Sequence, residues 1–314
     1  MNLFLSTLNQ MMVLFVFMIA GFALAKFKIL PKGSASILAK LENWLFLPAL
    51  VFQTFVQNFT VSILGMTWKL FVFSLALLAV IIPITIFVCK LLTKDAYVQK
   101  IYCYVLCFAN FAFMGNAVVK AIFPNFFYQY VIFTLALWIP IYLWGVPALL
   151  VPSGDKKSAK DKLRSLINPM FLSMIVGLVI GLLSIDLPAP VDEFIGGAAN
   201  CMSPLAMLLT GITISEINFK KIFRSAKVYI ISALRLLVYP LALIAFFAFV
   251  PIHIPDVYMI CAVCSVAMPF GLNSIVIPAA YDKDTSESSG LVLISHALSV
   301  ITIPLIFMLL RTIL

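Results

Sequence analysis

The 314-residue sequence predicts an all-α membrane protein of ten transmembrane helices, arranged as two inverted five-helix repeats in which helices 4 and 9 are broken and cross. Three observations lead there. Apolar runs of helical length follow one another almost without a gap, basic residues collect in alternate connections, and three helix-perturbing residues recur at one offset in the two halves of the chain.

Hydrophobic residues make up 64% of the chain and charged residues only 11%, against roughly 25% charged in an ordinary soluble domain. No water-soluble fold hides that much apolar surface, so the bilayer must act as solvent. Each run of about 20 apolar residues can cross a hydrocarbon core of roughly 30 Å. Read in order, helices are expected at 4–25, 35–57, 67–91, 97–123, 126–150, 166–185, 192–214, 226–250, 256–281 and 286–312. Pro31, Pro124, Pro152, Pro188 and Pro251 mark helix ends, as does the polar cluster at 282–289. Residues 1–25 lack a basic leading region and their apolar run is too long for a secretion signal, so they read as the first helix. The longest polar stretch, 152–164, leaves no room for a domain outside the membrane.

The formal charge of +9 does not point to nucleic acid, because its distribution is that of a membrane protein. All Lys and Arg but Lys69, Lys120, Arg235 and Arg311 fall in the connections after helices 1, 3, 5, 7 and 9. By the positive-inside rule those connections are cytoplasmic and both termini lie outside, as in a multi-pass protein of the bacterial inner membrane. The connection after helix 6 agrees, carrying Asp186, Asp192 and Glu193 and no basic residue. The six cysteines lie in or beside apolar runs. Although Cys261 and Cys264 form a CxxC, they read as small packing residues rather than a disulfide or metal framework.

Gly21 and Gly177, Pro48 and Pro204, and Gly115 and Gly271 are each 156 residues apart. The offset divides the chain into a first repeat at 1–152, a basic cytoplasmic linker at 153–165 and a second repeat at 166–314. Because five is odd, the second repeat would enter the membrane in the opposite sense, an arrangement common among secondary transporters.

Candidate chemistry lies in two runs. Helix 4 carries Asn110, Gly115 and Asn116 inside an apolar span, and helix 9 carries Pro269, Gly271, Asn273 and Ser274. Pro269 removes a backbone donor, and a break in mid-membrane is tolerated only where protein, water or ligand meets the freed groups. Half-helix amino termini meeting there would present partial positive charge to an anion. Taken singly, each Asn reads as interhelical hydrogen-bond glue and each Gly as a packing residue; the paired pattern favours a binding site. Lys120, one turn past the helix 4 break, is expected either to attract an anionic substrate or to snorkel to the interface. Arg235 reads as snorkelling or helix pairing, and His296 as a packing residue able to titrate. Glu42 falls near the cytoplasmic start of helix 2, so no carboxylate is expected in mid-membrane, which disfavours an antiporter built on buried acids. The absence of HExxH, GxSxG or paired intramembrane aspartates argues against an enzyme, and no cofactor is expected.

Residues 46–50, 110–115, 203–206 through Gly211, 269–273, Tyr281 and 291–304 together resemble the auxin efflux carrier family, which includes bacterial malate and malonate permease-like proteins. The resemblance implies broken, crossing helices 4 and 9, a scaffold of helices 1, 2, 6 and 7 that often dimerises, and mobile transport helices 3–5 and 8–10. It further implies elevator-like transport of a small carboxylate, with Asn110 and Asn273 as ligands; the sequence does not choose between a proton and sodium as coupling ion. The chain departs from the family pattern at Ala117, where a proline is usual. Two alternatives stand beside this reading: a sodium-coupled symporter of the bile-acid type, and a membrane sensor that binds its ligand without moving it.

Overall fold

The computed structural model describes residues 2–151, 169–216, 219–250 and 254–314. Its helices are α1 (Asn2–Lys26), α2 (Ser34–Leu41), α3 (Leu47–Asn58), α4 (Val61–Leu92), α5 (Ala96–Cys107), α6 (Asn116–Ile122), α7 (Phe127–Pro140), α8 (Pro169–Leu183), α9 (Ala189–Glu216), α10 (Phe219–Arg224), α11 (Ala226–Ala233), α12 (Tyr239–Phe249), α13 (Asp256–Val266), α14 (Asn273–Ala280) and α15 (Ser286–Arg311). Wider π-helical turns at Glu42–Phe46, Phe111–Gly115, Ile141–Leu150 and Leu234–Val238 join or extend them. The linker expected at 153–165 lies outside the described residues.

Among the described residues six helices are long and apolar enough to cross a membrane: Ser34–Asn58, Trp68–Leu92, Pro124–Leu150, Ala189–Ser215, Ala226–Phe249 and Ser286–Arg311. This corrects the expected ten-helix, two-fold inverted repeat. The spans expected at 97–123 and 256–281 are not single helices, because the chain leaves helical geometry after Cys107 and again after Val266. Met12–Lys26 and Pro169–Leu183 are apolar but shorter. Positions paired by the 156-residue offset also differ locally. Pro48 opens a helix after a π-helical turn, whereas Pro204 sits inside the unbroken α9. Gly115 closes a π-helical turn, while Gly271 lies in the link between α13 and α14. Glycine and proline are frequent in membrane helices, so a shared offset among them carries less information than the expectation gave it.

Glycine sets the closest packing. A Cβ at Gly21 of α1 would overlap the carbonyl oxygen of Leu208 in α9, and one at Gly211 of α9 would overlap the carbonyl oxygen of Met18 in α1. Gly177 and Gly181 of α8 approach the backbone of Phe52 and Phe55 in α3 in the same way. In a bilayer no hydrophobic force drives helices together, so such backbone contact does much of the work of association. Replacing Gly211 by Val is therefore expected to cost about 1–3 kcal/mol or more through overpacking against a backbone that cannot yield. Thermal unfolding in mild detergent checks this, and a wild-type transition would show that α1 is not clamped there.

Large apolar side chains such as Phe27, Leu91 and Phe249 stay exposed, as expected of surfaces that meet lipid. The link between α14 and α15 docks on α2 and α5. Asp282 meets Ser36 and, at 3.1 Å, Lys40, while the Tyr97 hydroxyl donates to the Asp284 carbonyl at 2.8 Å. The Ser36 hydroxyl and the Lys40 ammonium hold the Asp282 carboxyl below its ordinary range. The contact is thus present at neutral pH and lost as pH falls through that lowered value.

Candidate functional site

The break after α5 begins where Phe108 turns extended, with φ −121° and ψ 110°. The break after α13 spans residues 267–272 and contains Pro269, which cannot donate. The two links run antiparallel and bridge at Ala109 and Phe270. The Asn110 N–H donates to the Pro269 carbonyl at 2.8 Å, and the Gly271 N–H to the Phe108 carbonyl at 3.3 Å. Each break thus answers part of the other's backbone deficit, as a non-helical segment inside a membrane protein requires. Gly271 makes the approach possible, since a Cβ there would stand 3.1 Å from the Phe108 oxygen.

Asn110 is fully engaged. Its Oδ1 accepts from the Met114 N–H at 3.3 Å, its backbone carbonyl accepts from the Gly115 N–H at 3.0 Å, and its Nδ2 lies 3.1 Å from His296 Nε2. His296 Nδ1 lies 2.9 Å from the Val292 carbonyl, which can only accept, so Nδ1 carries the proton and Nε2 accepts from Asn110. His296 is therefore a neutral brace for the crossing, buried in α15. Ser274 donates to the Gly271 carbonyl at 2.8 Å and Ser295 stands 3.4 Å from the Phe270 N–H, which further fixes the link.

The carboxyl ends of the interrupted helices converge on Arg235, which is 2% exposed. Its Nη1 donates to the Leu106 carbonyl at 2.9 Å, its Nη2 to Ser265 at 3.3 Å and its Nε to Met268 at 3.3 Å. These carbonyls lie at or just past the ends of α5 and α13, where intrahelical donors run out and partial negative charge accumulates. Arg235 neither snorkels nor pairs with an acid; it caps two helix ends with one guanidinium. The π-helical turn Leu234–Val238 carries it.

The amino ends of the resumed segments, at Phe111 and Asn273, border a cavity of about 30 Å³. Tyr104, Asn110, Trp138, Tyr142 and Gly271 complete much of its wall. The Asn273 side chain interacts with the hydroxyls of Tyr104 and Tyr142, and its Oδ1 has no hydrogen-bond partner. A water needs roughly 10–15 Å³ on such a measure, so the space takes one or two waters and the wall must part for anything larger. Donors and helix amino termini on one side, with the carboxyl ends neutralised on the other, make a setting suited to an anion.

The structure thus brings Asn110, Gly271 and Asn273 to the cavity and Pro269 and Ser274 to the crossing behind it. Gly115 instead packs beneath the Tyr130 hydroxyl, which donates to the Phe111 carbonyl at 3.0 Å. Asn116 opens α6 and does not line the cavity. Lys120 is exposed, its Nζ 5.7 Å from the centre of the Phe127 ring. Lys120→Met is accordingly expected to change transport kinetics less than twofold; a loss of substrate affinity tenfold or more would return Lys120 to the site. Sequence reading missed Tyr104 and Tyr142. Their only signal was a hydroxyl placed mid-span in apolar helices, where a buried Tyr usually needs a partner. Among the described residues no group of three His, Cys, Asp or Glu could hold a metal.

No curated protein matches the chain. A family model described as membrane transport protein matches it over residues 6–159 and 156–307, nearly its whole length. With crossed, interrupted helices and an internal polar cavity already in view, the match agrees with the motifs, and the chain belongs to the membrane transport protein family, that of the auxin efflux carriers.

Proposed function

We propose that this chain is a secondary carrier for a small carboxylate in the bacterial inner membrane, working by elevator-like alternating access without covalent chemistry. One observation carries the reading: where the two links meet, the Asn273 amide and the Tyr104 and Tyr142 side chains border a small cavity beside two helix amino termini. A carboxylate would accept from the Asn273 Nδ2 and the tyrosine hydroxyls, in the partial positive field of those termini. Asn110 holds the crossing in shape rather than reaching for substrate, since all its polar groups have protein partners. The cavity is too small for a carboxylate, so this closed conformation must open before one can bind.

Purified protein in liposomes, screened with labelled mono- and dicarboxylates, tests this. Saturable flux of one of them supports the carrier. Flux that requires sodium selects a sodium symporter, binding with no flux selects a sensor, and neither binding nor flux ends the proposal.

A further inference from the structure

Glu42 opens the π-helical turn Glu42–Phe46, is 0% exposed, and neither of its carboxylate oxygens has a hydrogen-bond partner. The Oδ1 of Asn43 beside it is likewise buried and unpartnered. Sequence position alone suggested a residue near the membrane surface; the packing makes it an interior acid. Besides the flanking α2 and α3, the elements packed on this turn are α8, α9 and α14. Neither α3, α8 nor α14 bears a charged or titratable residue. On α2, Lys40 is exposed and bound to Asp282; on α9, Asp192, Glu193 and Cys201 are exposed, and the side chain of Glu216 lies outside the described residues. A bare carboxylate in such a place is shut off from bulk solvent and has no cation or donor beside it among the described residues, so the group is held as the neutral acid.

Position gives that proton a use. α14 packs along both α2 and the 42–46 turn. At one end of this seam is the exposed contact of Lys40 with Asp282, and at the other are Leu47 and Asn273, both on the cavity wall. Glu42 lies between them. π-Helical turns are frequent at functional sites because they interrupt the regular ladder and let an element adjust. Any widening of the cavity that shifts Asn273 also shifts α14 against this turn.

Building on the carrier reading, we infer that Glu42 is a proton-binding site and that its proton is the coupling ion. In the closed state the acid O–H is intact. That O–H forms with a proton taken from water on the side where substrate binds, and when the seam opens on the other side it breaks and the proton passes to water as the substrate leaves. The proton offsets one negative charge of the substrate, so a monocarboxylate crosses without net charge and malonate, with two carboxylates, crosses with one charge left.

The experiment has two arms on the purified full chain and Glu42→Gln, which keeps the shape of the neutral acid and so should fold. Infrared spectra at pH 7 are expected to contain the carbonyl band of a buried protonated carboxylic acid in the wild type and to lose it in Glu42→Gln. Proteoliposomes with labelled malonate as probe and an imposed pH gradient are expected to accumulate malonate at least tenfold in the wild type. In Glu42→Gln the residual uptake should no longer respond to the gradient. A wild-type spectrum without that band removes the proton site. Gradient-driven accumulation persisting in Glu42→Gln, or driven in the wild type by sodium and not by protons, overturns the coupling role. Failure of the wild type to move any carboxylate sinks the carrier reading and the coupling with it, while the infrared band still decides whether Glu42 binds a proton.

Discussion

Arg235→Met is expected to destabilise the protein by about 3–5 kcal/mol, the range for removing one partner of a buried charged contact. Two effects oppose each other. Losing the guanidinium removes the cost of burying a cation, which favours the variant. It also strips donors from the Leu106, Ser265 and Met268 carbonyls at the ends of two helices, in a buried region shielded from bulk solvent. A hydrogen bond from a charged donor contributes roughly 1.5–3 kcal/mol, and three are lost together, so the second effect dominates. Arg235→Lys should fall between, because an ammonium on a flexible stem cannot match the planar fork that reaches three carbonyls. Thermal unfolding and the fraction of monodisperse protein in mild detergent provide the test. Wild-type stability in Arg235→Met would mean that the crossing holds without its cap.

Asn273→Ala is expected to behave in the opposite way, with a modest loss of stability, since its contacts with the Tyr104 and Tyr142 hydroxyls go, and with transport lost. Its Oδ1 has no partner, so little folding energy depends on that atom. If the amide donates to a bound carboxylate, its loss forfeits a charge-assisted hydrogen bond, about 1.5–3 kcal/mol, or roughly 10- to 150-fold in substrate affinity. Uptake measured with the labelled carboxylate, normalised to folded protein in the membrane, separates the two effects. Uptake at the wild-type level would remove Asn273 from the site.

The sequence made some features legible and hid others for physical reasons. Membrane residence followed from composition, and the interruptions at 108–110 and 267–272 followed from Asn110, Pro269 and Gly271, whose chemistry is local. The number of long spans did not follow, because a hydropathy run records how apolar a stretch is and cannot tell one continuous helix from two short ones. Gly21 entered the sequence reading as a repeat marker and Gly211 as part of a family motif, and their close contact was not legible, while equal spacing between glycines overstated the kinship of the two halves. Long-range contacts were invisible. The carbonyls at 106, 265 and 268 meet Arg235 only in three dimensions, and nothing in its neighbourhood along the chain distinguishes it from a snorkelling Arg. Glu42 was misjudged for the same reason: its neighbour Lys40 suggests an aqueous surface, while α9 and α14 close over the next turn. Lys120 was the converse, an apparent mid-membrane cation that packs over Phe127 at the exposed end of a short helix.

The account stands on one claim, that substrate enters the small cavity where residues 108–112 and 270–273 meet. Ala112 lines that cavity and is half-buried, so Ala112→Cys places a thiol at its wall. With the protein in liposomes, the rate of maleimide attachment to this thiol should fall severalfold as a transported carboxylate is raised to saturation, with the half-maximal effect at the concentration that half-saturates flux. An attachment rate unchanged at saturating substrate, with flux intact, would put the substrate somewhere else in the protein.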